Sequence, residues 1–237
     1  MGTSSDFGGG RSPAWTGLRR ASTSFGKHGG DERAGRVLAR LVKVLGGAVT
    51  AAAAAGEGAG VRSAQQVGAL SSGLAGPGLT PTLERLGLQR LVGSSRFEVI
   101  EGLLDQIAGE GDALEEQAAR TAACDVLDEL FGDAETYEEL EAMKLDTDGV
   151  LSILQAFLAA YIYARLAPAL DERLNRLGDA NMVRRREQEL RDYTRAVVAL
   201  ELDGRDPLTV DWTSDDGREL LDRAILAVFQ QLEALEP

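Results

Sequence analysis

From Asp31 onward, apolar residues recur at the three- and four-residue steps of a helix. Val37, Leu38, Leu41, Val42, Leu45 and Val49 mark one face, and Arg36, Arg40 and Lys43 take another. This helix is expected to run on through Ala51–Ala55 and to end in the glycine-rich stretch 56–60, weakened locally at Gly46 and Gly47. The richness in alanine and glycine reads as permissive packing. Phe97, Ile100, Leu104 and Ile107 line a second face, and Leu114, Ala118, Ala122, Val126 and Leu130 a third. Near the C-terminus Leu221, Ile225, Val228, Leu232 and Leu235 form a seam. Two heptads are too few for a coiled coil, so this seam is read as part of the chain's own core.

Helix starts are marked by capping residues. Thr80 before Pro81 reads as an N-cap, Ser95 with Glu98 and Thr136 with Glu139 as capping boxes, and Asp112 with Glu115 as a similar start. Only Leu208–Trp212 alternates like a strand, and five residues make no sheet. The expected fold is all-α, a bundle of about seven to nine helices over residues 31–237. Residues 1–30 differ: they hold eight glycines and only scattered apolar groups, and read as a flexible basic Gly/Ser-rich tail.

Composition narrows the chemistry. The 237 residues suit one large domain, or one domain and a tail. Aromatics are 5%, so the core must be Leu, Ala, Val and Ile. The net charge is −13, with +3 on residues 1–30 and therefore −16 on the rest, which argues against direct nucleic-acid binding. One cysteine and one histidine exclude a disulfide framework, a Cys-based zinc site and a multi-His metal centre. No secretory h-region is visible in residues 1–30. The apolar run Val150–Leu166 contains Ser152, Gln155 and Arg165 and falls short of the roughly 20 residues of a membrane span. It is expected to be a buried helix, and the lone Cys124 suits a reducing cytoplasm.

No catalytic residue, cofactor or metal is assigned. Gly8–Gly10 and Gly29-Gly30 are not framed by a strand and a helix, so neither reads as a phosphate loop. Asp146-Thr147-Asp148-Gly149 lacks the further ligands of a calcium loop, and Asp148 reads as an N-cap. Asp215-Asp216-Gly217 reads as an acidic helix start. Carboxylate pairs are plentiful among 38 acids; Asp125 with Asp128 or Glu129 could share a helix face and serve a hydrolase, with solvation the plainer reading. His28 sits in the expected tail, where a preorganised base does not belong. Cys124 lies among acids that disfavour its thiolate and reads as structural. Arg184, Arg185, Arg186, Arg191 and Arg195 alternate with acids and read as a salt-bridged exposed helix.

The chain starts Met1-Gly2-Thr3-Ser4-Ser5. A small second residue permits removal of the methionine and exposure of the Gly2 amine, whose pKa lies near ~7.7–8.0. Asp6 stands where a myristoylation pattern wants Ser or Thr.

This start, the basic segment Trp15–Lys27 with Gly29-Gly30, Gly87-Leu88 with Leu91-Val92-Gly93, Ala119–Leu130, and Phe157–Arg165 together resemble the QatB family of the Qat anti-phage defence system. The resemblance implies a cassette with an ATPase, a QueC-like deazaguanine enzyme and a TatD-like nuclease as partners. It also implies a non-enzymatic protein whose Gly2 is the candidate acceptor of a deazaguanine group, with Gly2, Thr3, Ser4 and Ser5 presented to the partner enzyme. Two alternatives stay open: a carboxylate-dependent hydrolase at Asp125, Asp128 and Glu129, and a helical effector that releases Val150–Leu166 into a membrane.

Overall fold

The computed structural model describes residues 12–109, 114–176 and 178–235. Ser12 opens it by capping a helix: its hydroxyl accepts the Trp15 N–H at 3.4 Å and Pro13 follows at the first helical position. Helix α1 (Pro13–His28) buries Leu18, Ser22, Phe25 and Gly26. It packs on α2 (Asp31–Val44) and on α9 (Thr147–Leu174). The expected tail is thus corrected over residues 13–28. Averaged composition hid a helix whose apolar positions Trp15, Leu18 and Phe25 are spaced by glycine and serine that allow close approach. Residues 1–11 lie outside the described residues.

The long helix expected from residue 31 is also corrected. It breaks at Gly46 and Gly47, both at positive φ (92° and 89°), and resumes as α3 (Ala48–Glu57) after a bend of 70°. The turn carries Val49 off the buried face, leaving it 69% exposed. Then follow α4 (Ala59–Ala75), α5 (Leu79–Arg85), a 3-10 turn (Gln89–Leu91), α6 (Arg96–Ala108), α7 (Leu114–Phe131) and α8 (Tyr137–Ala142). After α9 come α10 (Ala180–Val197) and α11 (Asp215–Glu233). The described residues hold eleven α-helices, above the expected seven to nine, and no strand.

Two helices organise the core. Helix α9 packs against α7, α4, α10 and α1, and α11 against α3, α2 and α4. The C-terminal seam is internal: Leu221, Ile225, Val228 and Leu232 are all buried. Helix α9 buries Leu154, Phe157, Leu158, Tyr161, Ile162, Leu166, Leu170 and Leu174. Its segment Thr147–Pro168 is the one described helix long and apolar enough to cross a membrane, and 61% of its apolar window is buried in the bundle. Small residues let these helices close. A Cβ on Gly60 would stand 2.8 Å from the Tyr161 ring, and one on Gly68 2.6 Å from the Trp212 ring. Trp212 anchors the irregular segment before α11, donating from Nε1 to Ser72 Oγ at 2.8 Å and to the Pro207 carbonyl at 3.1 Å. With no partner strand, the alternation around it forms a plug.

The caps divide. Ser95 and Glu98 form the expected box. Thr136 caps α8, but Glu139 accepts the Glu135 N–H, one residue earlier than a box requires. Helix α5 begins at Leu79, so Thr80 lies inside it, and its N–H and hydroxyl both donate to Glu141. Asp146, not Asp148, caps α9, accepting the Gly149 N–H at 2.8 Å. Ser214 caps α11, with Asp215 and Asp216 in its first turn as expected. Asp112 lies outside the described residues.

Candidate functional site

The carboxylates that suited a hydrolase are engaged by arginines. Asp125 and Glu129 lie one turn apart on α7 and face α10. Arg191 Nη1 reaches Asp125 Oδ2 at 2.8 Å, and Arg195 Nη2 reaches Glu129 Oε1 at 2.6 Å. Asp128 turns away, 3.8 Å from Arg96 of α6. The Arg191 guanidinium also lies 4.5 Å over the Tyr163 ring. Burial opposes its charge, but Asp125 and the Tyr163 hydroxyl outweigh this and hold its pKa above the ordinary arginine value. A cavity of about 260 Å³ separates α7, α9 and α10 at this clamp. A general base must be able to receive a substrate proton. Here each carboxylate answers a guanidinium, so the arrangement ties α7 to α10. The arginine-rich helix is salt-bridged as expected, and Arg186 joins α10 to α1 by donating to the Gly26 carbonyl at 3.2 Å.

A second polar group was not visible in the sequence. Tyr161, buried on α9, donates its hydroxyl to Glu115, and Arg165 meets the same carboxylate at 2.6 Å. Burial above all pushes the Tyr161 pKa well above the ordinary tyrosine value, and the Glu115 charge adds to this against the pull of Arg165. The signal available was Arg165 itself, a cation within an apolar run.

Other expected positions resolve simply. Cys124 is exposed, which corrects the structural reading: the buried face of α7 runs through Ala119, Ala122, Ala123, Val126 and Leu127 and leaves it outside. His28 is exposed in the last turn of α1. Among the described residues no group of three or more His, Cys, Asp or Glu is placed to hold a metal. Gly2, Thr3, Ser4 and Ser5 lie outside the described residues.

A cavity of about 610 Å³ lies between α1 and α2. These two helices form a hairpin through Gly29 and Gly30, both at positive φ. Pro13, Thr16, Gly17, Arg20 and Ser24 line one wall, and Arg33, Arg36 and Arg40 the other. Arg40 lies close across Gly17: a Cβ there would stand 3.0 Å from its guanidinium and 3.2 Å from its Cδ. Arg33 donates to the Gly29 carbonyl at 3.1 Å, and Arg36 pairs with Glu32. No acidic side chain is among the lining residues described. The sequence reading missed this cleft because it placed Arg20 on a tail and Arg36 and Arg40 on the face of a helix away from its apolar residues.

Comparison with known families adds what the geometry leaves open. Residues 46–232 match the family of the Qat anti-phage system associated protein QatB. The chain belongs to the QatB family. The match runs from the α2–α3 break into α11, so α1 and α2 precede it. A QatB protein is a component of the Qat defence system, and other components of that system are its partners. No curated protein and no solved structure matches the chain.

Proposed function

We propose that the chain acts in its defence system without catalysing a reaction of its own. The bundle docks a partner, and Gly2 is the acceptor of a deazaguanine group. Family membership supports the system, and the clamp carries the non-catalytic reading: Asp125 and Glu129 pair with Arg191 and Arg195, and Asp128 turns away from them to an exposed position.

In this reading a QueC-like partner adenylates a deazaguanine carboxylate. The neutral Gly2 amine attacks the acyl carbon, AMP leaves, and an amide forms while the amine loses a proton. ATP and the catalytic groups belong to the partner, while Thr3, Ser4 and Ser5 fill its entry channel. The ATPase and the TatD-like nuclease of the system are further partners, and the cytoplasm is the compartment. The acidic body steers association with a basic partner surface.

Intact mass spectrometry of the chain co-expressed with an active QueC-like enzyme tests this. The expected result is a mass gain equal to the acyl group, mapped to Gly2. An unmodified N-terminus beside active enzyme would refute it.

A further inference from the structure

We propose that the α1–α2 cleft binds a compact polyphosphate, the triphosphate group of a nucleotide or an inorganic chain of the same charge. Arg33, Arg36 and Arg40 recur along α2 at three- and four-residue steps, so they share one face over about 10 Å of helix axis. Arg20 faces them from α1, and Thr16 and Ser24 add hydroxyl donors. Four guanidiniums around one cavity is a concentration of positive charge on a chain whose total is −13. Guanidiniums bind phosphate oxygens in paired, charge-assisted hydrogen bonds.

The lining also selects the class of anion. Among the described residues its only apolar side chains are Pro13 and Ala21, which offer little to the aromatic or aliphatic anchors on which protein partners depend. A long nucleic acid would run past the cleft onto the acidic body, where its phosphates are repelled. A small multivalent anion meets neither obstacle, and about 610 Å³ lies within the range of small-molecule sites. The bases of nucleotides would find no ring to stack on among the lining residues, so the phosphates carry the recognition. The Arg36–Glu32 pair is exposed and single, and it yields to a ligand of higher charge at little cost. The cleft precedes the family-matched span, so this inference stands whether or not Gly2 is modified.

Titration of the purified chain with sodium tripolyphosphate, ATP, adenosine and a hexaglutamate peptide at low ionic strength tests the proposal, read by calorimetry. Tripolyphosphate and ATP are expected to bind with similar affinity, and adenosine and the peptide not to bind. Arg20→Gln with Arg36→Gln, both at exposed positions, should weaken the two phosphate ligands by about tenfold or more, while Arg90→Gln on the 3-10 turn leaves them unchanged. Should the double variant unfold, hydrogen exchange of the wild type decides: tripolyphosphate must slow amide exchange in residues 13–40 and lose that effect at high salt. Absence of tripolyphosphate binding, binding indifferent to Arg20 and Arg36, tighter binding of the acidic peptide, or ATP binding matched by adenosine would each overturn it.

Discussion

Replacing Phe25 by alanine separates an anchored α1 from a loose leader. The ring is 0% exposed and belongs to the same core cluster as Leu38, Leu41 and Leu190. Moving such a side chain from the core to water costs about 1.5–3 kcal/mol, and the cavity left behind raises the total to about 3–5 kcal/mol. A domain of this size loses about 2–4 °C of melting temperature per kcal/mol. The expected fall is therefore about 6–20 °C, followed by circular dichroism at 222 nm. Lys27→Ala, an exposed neighbour, should change stability by less than about 0.5 kcal/mol. If Phe25→Ala melts within about 2 °C of the wild type, α1 does not contribute to the core and the corrected boundary at Ser12 is wrong.

Gly68→Ala forces a methyl to within 2.6 Å of the Trp212 ring and should cost about 1–3 kcal/mol despite alanine's better helix propensity, with altered near-UV signal from Trp212. Tyr161 should ionise late in an absorbance titration at alkaline pH. Its folded pKa is raised, so the stability it lends is complete below the ordinary tyrosine value of about 10 and fades as pH climbs toward the folded value; Tyr161→Phe should remove one tyrosine's share of the late phase, leaving that of Tyr163 and Tyr193, which burial also raises. Asp179 caps α10 by accepting the Asn181 and Met182 N–H groups at 2.9 Å, bonds that lower its pKa. Its contribution is present above the ordinary aspartate range and fades as pH falls through the lowered value, so amide exchange in the first turn of α10 should quicken in acid, and Asp179→Ala should remove that pH dependence. Arg191→Gln should cost no more than about 1 kcal/mol, since the Asp125 pair is half-exposed, as a thermal melt would show.

Sequence legibility followed the range of the interaction. The Ser95–Glu98 box and the C-terminal seam depend on neighbours three or four residues away and were readable. The breaks at Gly46-Gly47 and the placement of Asp146 turn on backbone dihedrals that residue spacing does not encode. Helix α1 was obscured because its buried face includes Ser22 and Gly26, residues that count as polar or neutral until a partner helix is known to lie against them. The same gap hid the candidate site. Arg20 lies on one helix and Arg33, Arg36 and Arg40 on another, and only the fold of the hairpin brings them to one cavity. The carboxylate row was found in sequence, but the arginine partners of Asp125 and Glu129 are 66 residues further along, and proximity across that distance is a tertiary fact.

Because α1 is fixed by Ser12, Leu18 and Phe25, the leader has a defined mooring point. Ser12 follows Gly2 by ten positions, and a chain over ten residue steps spans at most about 35 Å. Any active centre that acts on Gly2 must come within that tether of the bundle's α1 end, which confines the productive geometries of an encounter to one hemisphere of the protein.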